Sequence, residues 1–262
     1  MLMTIDVGNT HCLFGIFQGE TLMASFRINS RTERTADEMA ILVLDLCESQ
    51  GITREHITDA IISSVVPKIM DSLEELFDKY FHLKPLIVGP GTKTGISIRA
   101  DNPKEVGADR IVNVAAAREI YKRSCIVIDF GTATTFDYVS AEGVFQYTVI
   151  MPGLEISARA LSGNTAKLPQ VEIIKPDSIL ASNTVNGMQA GIVYGYIGAV
   201  EYTIKQMKKE LGEEPLVIAT GGLGQVIARE TNLIDHYNPN IAFEGMKTIF
   251  KKTKRITGDL PI

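Results

Sequence analysis

Two short segments hold the residues best suited to chemistry. Asp6-Val7-Gly8-Asn9-Thr10 and Asp129-Phe130-Gly131-Thr132 each end an apolar run with a carboxylate, a spacer and a glycine. A glycine at that point lets the main chain come close to a phosphate and take angles that other residues avoid. The amides around Asn9, Thr10 and His11 can turn inward as anion donors. Asp6 has the same sign of charge as a phosphate, so it must act through Mg²⁺ or a water bound to it. A single Asp-x-Gly reads as an ordinary capped turn after a strand. Two copies in matching contexts point instead to paired turns that clamp a triphosphate.

The elements around these turns repeat. Leu2 to Val7, Cys12 to Phe17 and Thr21 to Ile28 read as three strands joined by tight turns; Ser124 to Asp129, Thr134 to Val139 and Val144 to Met151 read the same way. Helices are expected at Met39 to Cys47, behind a Thr35/Glu38 capping box, and over Lys68 to Phe81. Further helices are expected at about 155–161, 187–211 and 243–252, with strands at Ala60 to Val66, Pro85 to Val88 and Pro215 to Ala219. The chain reads as a duplicated module in mixed α/β layers, its halves packed around a cleft. The expected division is 1–112 and 113–262.

Bulk properties set the limits. The 262 residues suffice for two domains with real cores, and 45% hydrophobic with 22% charged residues is an ordinary globular composition. A net charge of −5 argues against a nucleic-acid binder working by bulk charge. The basic run Lys251, Lys252, Lys254 and Arg255 falls where a last helix would end, and cations there complement its dipole. The three cysteines share no metal-site spacing and read as buried thiols in a reducing compartment, Cys12 keeping some redox sensitivity beside the first turn. No basic leader opens the chain and no apolar run reaches about 18 residues. A cytoplasmic protein without membrane contact is expected.

Asp-x-Gly-Asn-Thr at 6–10, Asn-Pro-x-x-Val-Gly-Ala-Asp-Arg at 102–110 and Asp-Phe-Gly-Thr-Ala-Thr-Thr at 129–135 together resemble type III pantothenate kinase, also called the Bvg accessory factor family. Pro152-Gly153, Thr184 and Thr220-Gly221-Gly222 extend the likeness along the chain. The resemblance implies duplicated ribonuclease H-like domains of the actin/hexokinase kind, with mixed β-sheets flanked by helices and an active-site cleft between them. It also implies ATP-dependent phosphorylation of pantothenate, the first step of coenzyme A synthesis, by a homodimer using Mg²⁺ and a monovalent cation, K⁺ or NH₄⁺.

Carried over by residue, the resemblance gives Asp6, Val7, Gly8, Asn9, Thr10, His11, Cys12 and Leu13 to the nucleotide phosphates, with Thr132 also on ATP. Asp6 would hold Mg²⁺ directly or through water. Gly107, Ala108, Asp109 and Arg110 would hold pantothenate, with Asp109 as base toward its hydroxyl and Arg110 as a fork for its carboxylate. Asp129 would bind the monovalent cation, and Thr184 would touch substrate or simply cap a helix. Locally, Asn102 can cap a helix that Pro103 starts, with Glu105 in the capping-box position. The Ala-rich helix is expected to begin near Arg110, so Asp109 would lie near its start. Ala100 stands where family members often carry an aromatic. Another kinase of the same fold, acting on a sugar, acetate or glycerol, and a non-catalytic nucleotide-dependent regulator remain alternative readings.

Overall fold

The computed structural model describes residues 1–30 and 33–257. They form two compact units: one of Met1–Ser97, Asp101–Glu119 and the chain's last segment from Ile241, the other of Ile98–Ala100 and Ile120–Asn240.

The first unit is built on β1 (Leu2–Val7), β2 (His11–Gln18), β3 (Thr21–Asn29), β4 (Asp59–Ser64) and β5 (Leu86–Ile87), in the order β3-β2-β1-β4-β5. β1 is antiparallel to β2 and parallel to β4. Alternation divides the side chains of β1 between two cores. Met3, Ile5 and Val7 pack with Phe14 and Ile16 under helix α1 (Ala36–Glu48), which supplies Met39, Ala40 and Val43. Leu2 and Leu13 face the other way, toward Ile61 and two helices, α3 (Ala108–Tyr121) and α7 (Ile241–Thr257). Each fully buried large apolar side chain contributes about 1.5–3 kcal/mol. Close approach fixes two glycines: a Cβ on Gly15 would stand 2.8 Å from the Phe243 ring, and one on Gly245 would stand 2.2 Å from the Val112 carbonyl of α3.

The second unit is a six-stranded sheet in the order β11-β10-β7-β8-β9-β6, from β6 (Ser97–Ile98), β7 (Cys125–Phe130), β8 (Ala133–Val139), β9 (Val144–Pro152), β10 (Leu216–Thr220) and β11 (His236–Tyr237). Its core joins Ile126, Ile128 and Phe136 to Val193, Tyr196 and Val200 of a 28-residue helix, α5 (Thr184–Leu211). α4 (Leu154–Gly163) and the short α6 (Gly224–Ala228) complete it. Each sheet mixes parallel and antiparallel pairs and opens with an antiparallel three-strand run, β1-β2-β3 or β7-β8-β9.

Several expectations need adjusting. The helix over Lys68 to Phe81 is three pieces. Pro67–Ile69 is a 3₁₀ turn started by proline, α2 (Met70–Leu76) is α-helical, and Phe77–Phe81 is a π turn ended by His82 at φ 54°. The wider turn brings Phe77 and Phe81 together in the core, ring centroids 5.3 Å apart. The division after residue 112 differs from the observed grouping for two reasons. α3 runs unbroken across that point, and α7 packs its Phe243, Met246 and Ile249 into the first unit. The terminal basic run does fall at the end of α7, with Lys254 and Arg255 in its last turn, and it is also paired: Lys251 with Glu20, Lys252 with Glu119 at 2.9 Å and Lys254 with Asp59 at 3.8 Å.

Candidate active site

Asp6 and Val7 end β1, and the chain turns back into β2 through Gly8, Asn9, Thr10 and His11. Gly8 N donates to His11 O at 3.0 Å, which closes a tight hairpin around Asn9 and Thr10. Ser30, just beyond β3, holds the turn from one side: its hydroxyl donates to Gly8 O at 2.7 Å and its amide to Thr10 O at 3.0 Å. The Gly8 and Thr10 carbonyls are thereby both occupied. Cys12 and Leu13 continue into the sheet, Cys12 on the buried side. Burial, then the Asp6 charge, push the Cys12 thiol up to about 11 against the opposing pull of the Arg34 guanidinium. Arg34 is thus a cation within electrostatic reach of this turn, one that the motif reading does not include.

Gly107 to Arg110 belong to the same unit. Asn102 accepts from Lys104 N at 3.3 Å and starts a single 3₁₀ turn, Pro103–Glu105. Glu105 meets the Asn102 side-chain amide at 2.6 Å rather than its backbone, so the expected capping box is only half formed. α3 begins at Ala108, two residues earlier than expected, and Asp109 lies in its first turn. Asp109 Oδ1 accepts from Arg110 N at 2.8 Å, folding the carboxylate back over the helix start. Only glycine permits this at 107, where a Cβ would fall 2.4 Å from Asp109 Oδ1 and 3.3 Å from Val65 Cγ1. Val65 in turn donates its amide to Val7 O at 3.1 Å. One link, Val65, therefore connects the start of α3 to the end of β1, and Asp109 and Arg110 stand half-buried beside the carboxyl end of the sheet.

The second unit repeats the device. Asp129 lies near the end of β7, in register with Thr220 of β10 and Thr135 of β8. A Cβ on Gly131 would come 3.7 Å from Asp129 Oδ1, so the carboxylate overhangs the Gly131-Thr132 turn. Two further glycines close on this turn. A Cβ on Gly153 would meet the carbonyls of Gly131 and Thr132 at 2.5 and 2.4 Å; one on Gly221, at φ +90°, would meet the Phe130 backbone at 2.6–2.7 Å. The Tyr237 hydroxyl donates to Gly221 O at 2.9 Å, and burial first, then the Asp129 charge, raise its pKa. Tyr196 adds a bond to Pro152 O at 2.9 Å. Thr184 is different. It is the exposed first residue of α5, and no hydrogen bond among the described residues ties it to this cluster. It does not cap the helix either, because Asn183 does so, accepting from Asn186 N at 2.9 Å.

These glycine turns at the carboxyl ends of two matched sheets agree with the comparisons. The family model described as type III pantothenate kinase matches residues 2–206. The chain belongs to that family. Type III pantothenate kinases phosphorylate pantothenate in coenzyme A biosynthesis, so this chain is an ATP-using phosphotransferase. Solved structures support the fold. A conserved putative Baf family transcriptional activator from Campylobacter jejuni matches at TM-score 0.61 and 19% identity, over 98% of this chain and 100% of that one. MreB 5 of Spiroplasma citri bound to AMPPNP matches at 0.56 and 10%, over 99% and 98%. (R)-2-hydroxyglutaryl-CoA dehydratase component A of Acidaminococcus fermentans matches at 0.55 and 14%, over 98% of each chain. At these identities the likeness is one of fold, and it identifies the kinase as actin-like in architecture.

The motif reading passes over several residues that hold these turns within each unit. Ser30, Val65 and Tyr237 act through backbone bonds that carry no sequence signature. Ser63, in register with Asp6, is hidden in an apolar strand. Among the described residues no three His, Cys, Asp or Glu side chains form a metal centre of their own, and no helix is long and apolar enough to cross a membrane.

Proposed function

We propose that Asp109 orients the pantothenate hydroxyl for in-line attack on the terminal phosphoryl group of ATP and accepts its proton late in the transfer. The carrying observation is the Val65 link, which holds the Asp109 turn against the Asp6 turn within one unit. One O–P bond forms to the hydroxyl oxygen while the bond to the β-phosphate oxygen breaks. The hydroxyl proton goes to Asp109, and ADP leaves. A carboxylate is too weak a base to ionise an alcohol in advance, so its work is positioning first and proton acceptance second. Arg110, next along α3, takes the pantothenate carboxylate as a fork, and Gly107 and Ala108 shape the approach. The loop from Asp6 to Leu13 holds the nucleotide phosphates, and Thr132 contacts ATP.

The Asp6 carboxylate at the end of β1, in register with a buried hydroxyl, fits Mg²⁺, which takes one or two carboxylates and completes its shell with water and phosphate oxygens. Asp6 would hold it, and the ion would supply charge neutralisation on the phosphates. We assign Asp129 to a monovalent cation, whose charge would offset a carboxylate set over a phosphate-binding turn. Thr184 is proposed to reach substrate from the exposed start of α5. Homodimerisation is proposed through α5, where Gly191, Gly195 and Gly198 present an open face with nothing within 4 Å of their Cβ positions. Free buried cysteines accord with a cytoplasmic setting.

The test follows ADP release with Mg²⁺, K⁺ and either pantothenate or a sugar panel. Turnover confined to pantothenate is expected, and Asp109→Asn should bind both substrates yet lose about 10²–10⁴-fold in kcat. Unchanged turnover would remove Asp109 from this role. Exchanging K⁺ for Na⁺ should depress activity, and indifference would remove the cation from Asp129.

A further inference from the structure

Ser63 is fully buried, and its hydroxyl has no hydrogen-bond partner among the described residues. A buried hydroxyl left unsatisfied destabilises a fold. The residues before it in β4 are Ala60, Ile61 and Ile62, so an apolar residue at 63 would serve the strand better. The hydroxyl therefore needs a reason beyond folding, and its position offers one. Ser63 is the parallel register partner of Asp6, one strand spacing of about 4.8 Å away. The two side chains share a face: Leu13 flanks Asp6 on the antiparallel side, and Ile61 lies two residues before Ser63 on the same side of β4. Val112 and Ala115 of α3, the helix with Asp109 in its first turn, pack on that same face.

We infer that Ser63 is a positioning residue of the Asp6 site, its hydroxyl holding a water in the shell of the Mg²⁺ ion that accompanies ATP. The inference rests on the assignment of Asp6 made above. A water bound to a dication turns its two protons outward and needs two acceptors. The Asp6 carboxylate is one, and Ser63 Oγ, fixed in the neighbouring strand, is the other. The hydroxyl is neutral, so it orients the water without adding to the negative charge facing the phosphates.

The experiment separates this role from a structural one and from the Asp6 assignment. Mn²⁺ serves as the probe, titrated with AMPPNP onto wild type, Ser63→Ala and Asp6→Asn, with free Mn²⁺ read by electron paramagnetic resonance. Thermal midpoints are measured without metal or nucleotide. Ser63→Ala should melt at or above the wild-type temperature, since a buried unsatisfied hydroxyl is gone, yet bind Mn²⁺ with AMPPNP about 10-fold or more weakly. A metal-free midpoint several degrees lower would mean a structural role and overturn the inference. Wild-type Mn²⁺ binding in Ser63→Ala with weakened binding in Asp6→Asn would overturn the Ser63 role alone. Wild-type binding in both variants would overturn the Asp6 assignment as well.

Discussion

Chemistry at the scale of single residues depends here on which side chains are kept from ionising and which are held as acceptors. Burial drives all three thiols upward, Cys12 and Cys47 to about 11 and Cys125 to about 12. A thiolate is the reactive form, so near pH 8 only about one thiol in a thousand is available even at the lower value. In the native protein none of the three should react with a disulfide reagent on the timescale at which a denatured sample labels fully. Rapid labelling of Cys12 would show that the first turn opens. The redox sensitivity expected of Cys12 from its position is opposed by this burial. The local geometry of the candidate turns is legible in the sequence because Asp-x-Gly and Gly-Ala-Asp-Arg are local: glycine's freedom and the carboxylate's charge act within a few residues. The role proposed for Ser63 is not legible, because it rests on a strand partner 57 positions away, and within Ala-Ile-Ile-Ser-Ser the residue reads as part of a core strand.

At the scale of elements, the informative cases are helix ends and helix faces. The Thr35/Glu38 capping box is present, with Glu38 N bonded to Thr35 Oγ1 at 3.3 Å and Thr35 N to Glu38 Oε2 at 2.9 Å. The π turn over Phe77–Phe81 could not be foreseen, because tertiary packing of two phenylalanines selects it over the α register. α5 is the element with the clearest outward face. Gly191 and Gly195 are one turn apart, border a groove of about 310 Å³ with Ser157 and Leu161 of α4, and lie in the same helix as an exposed Tyr202. Missing side chains let helix backbones approach closely. Replacing Gly191 and Gly195 by leucine fills that face without disturbing the core of the second unit. On the homodimer proposed through α5, the double variant should keep its helical circular dichroism and shift to half the mass in sedimentation. An unchanged sedimentation coefficient would overturn the proposed contact through α5.

For the whole molecule, the duplication was readable from the paired motifs and the matching strand runs, but the ownership of the last helix was not. α7 has an amphipathic pattern that fits either half, and only the tight approach of Gly245 to Val112 and of Gly15 to Phe243 assigns it. Phe243, Met246, Ile249 and Phe250 are all buried in the first unit. At about 1.5–3 kcal/mol each, their burial is worth as much as the entire stability of a typical domain, about 5–15 kcal/mol. A chain ending at Asn240 should therefore lose cooperative melting of the first unit, and limited proteolysis should cut within 1–97 while the second unit resists. Equal protease resistance of both units would contradict the weight given to α7.

The same arrangement has a consequence during synthesis. The strands of the first sheet are made well before α7, which shares one face of that sheet with α3 and is translated only after residues 120–240. At roughly 5–20 residues per second, that face is covered by α3 alone for about ten seconds, long enough for a chaperone to find it. The turn after β1 is made well before α7, and the sheet that bears it is fully closed only once that helix arrives.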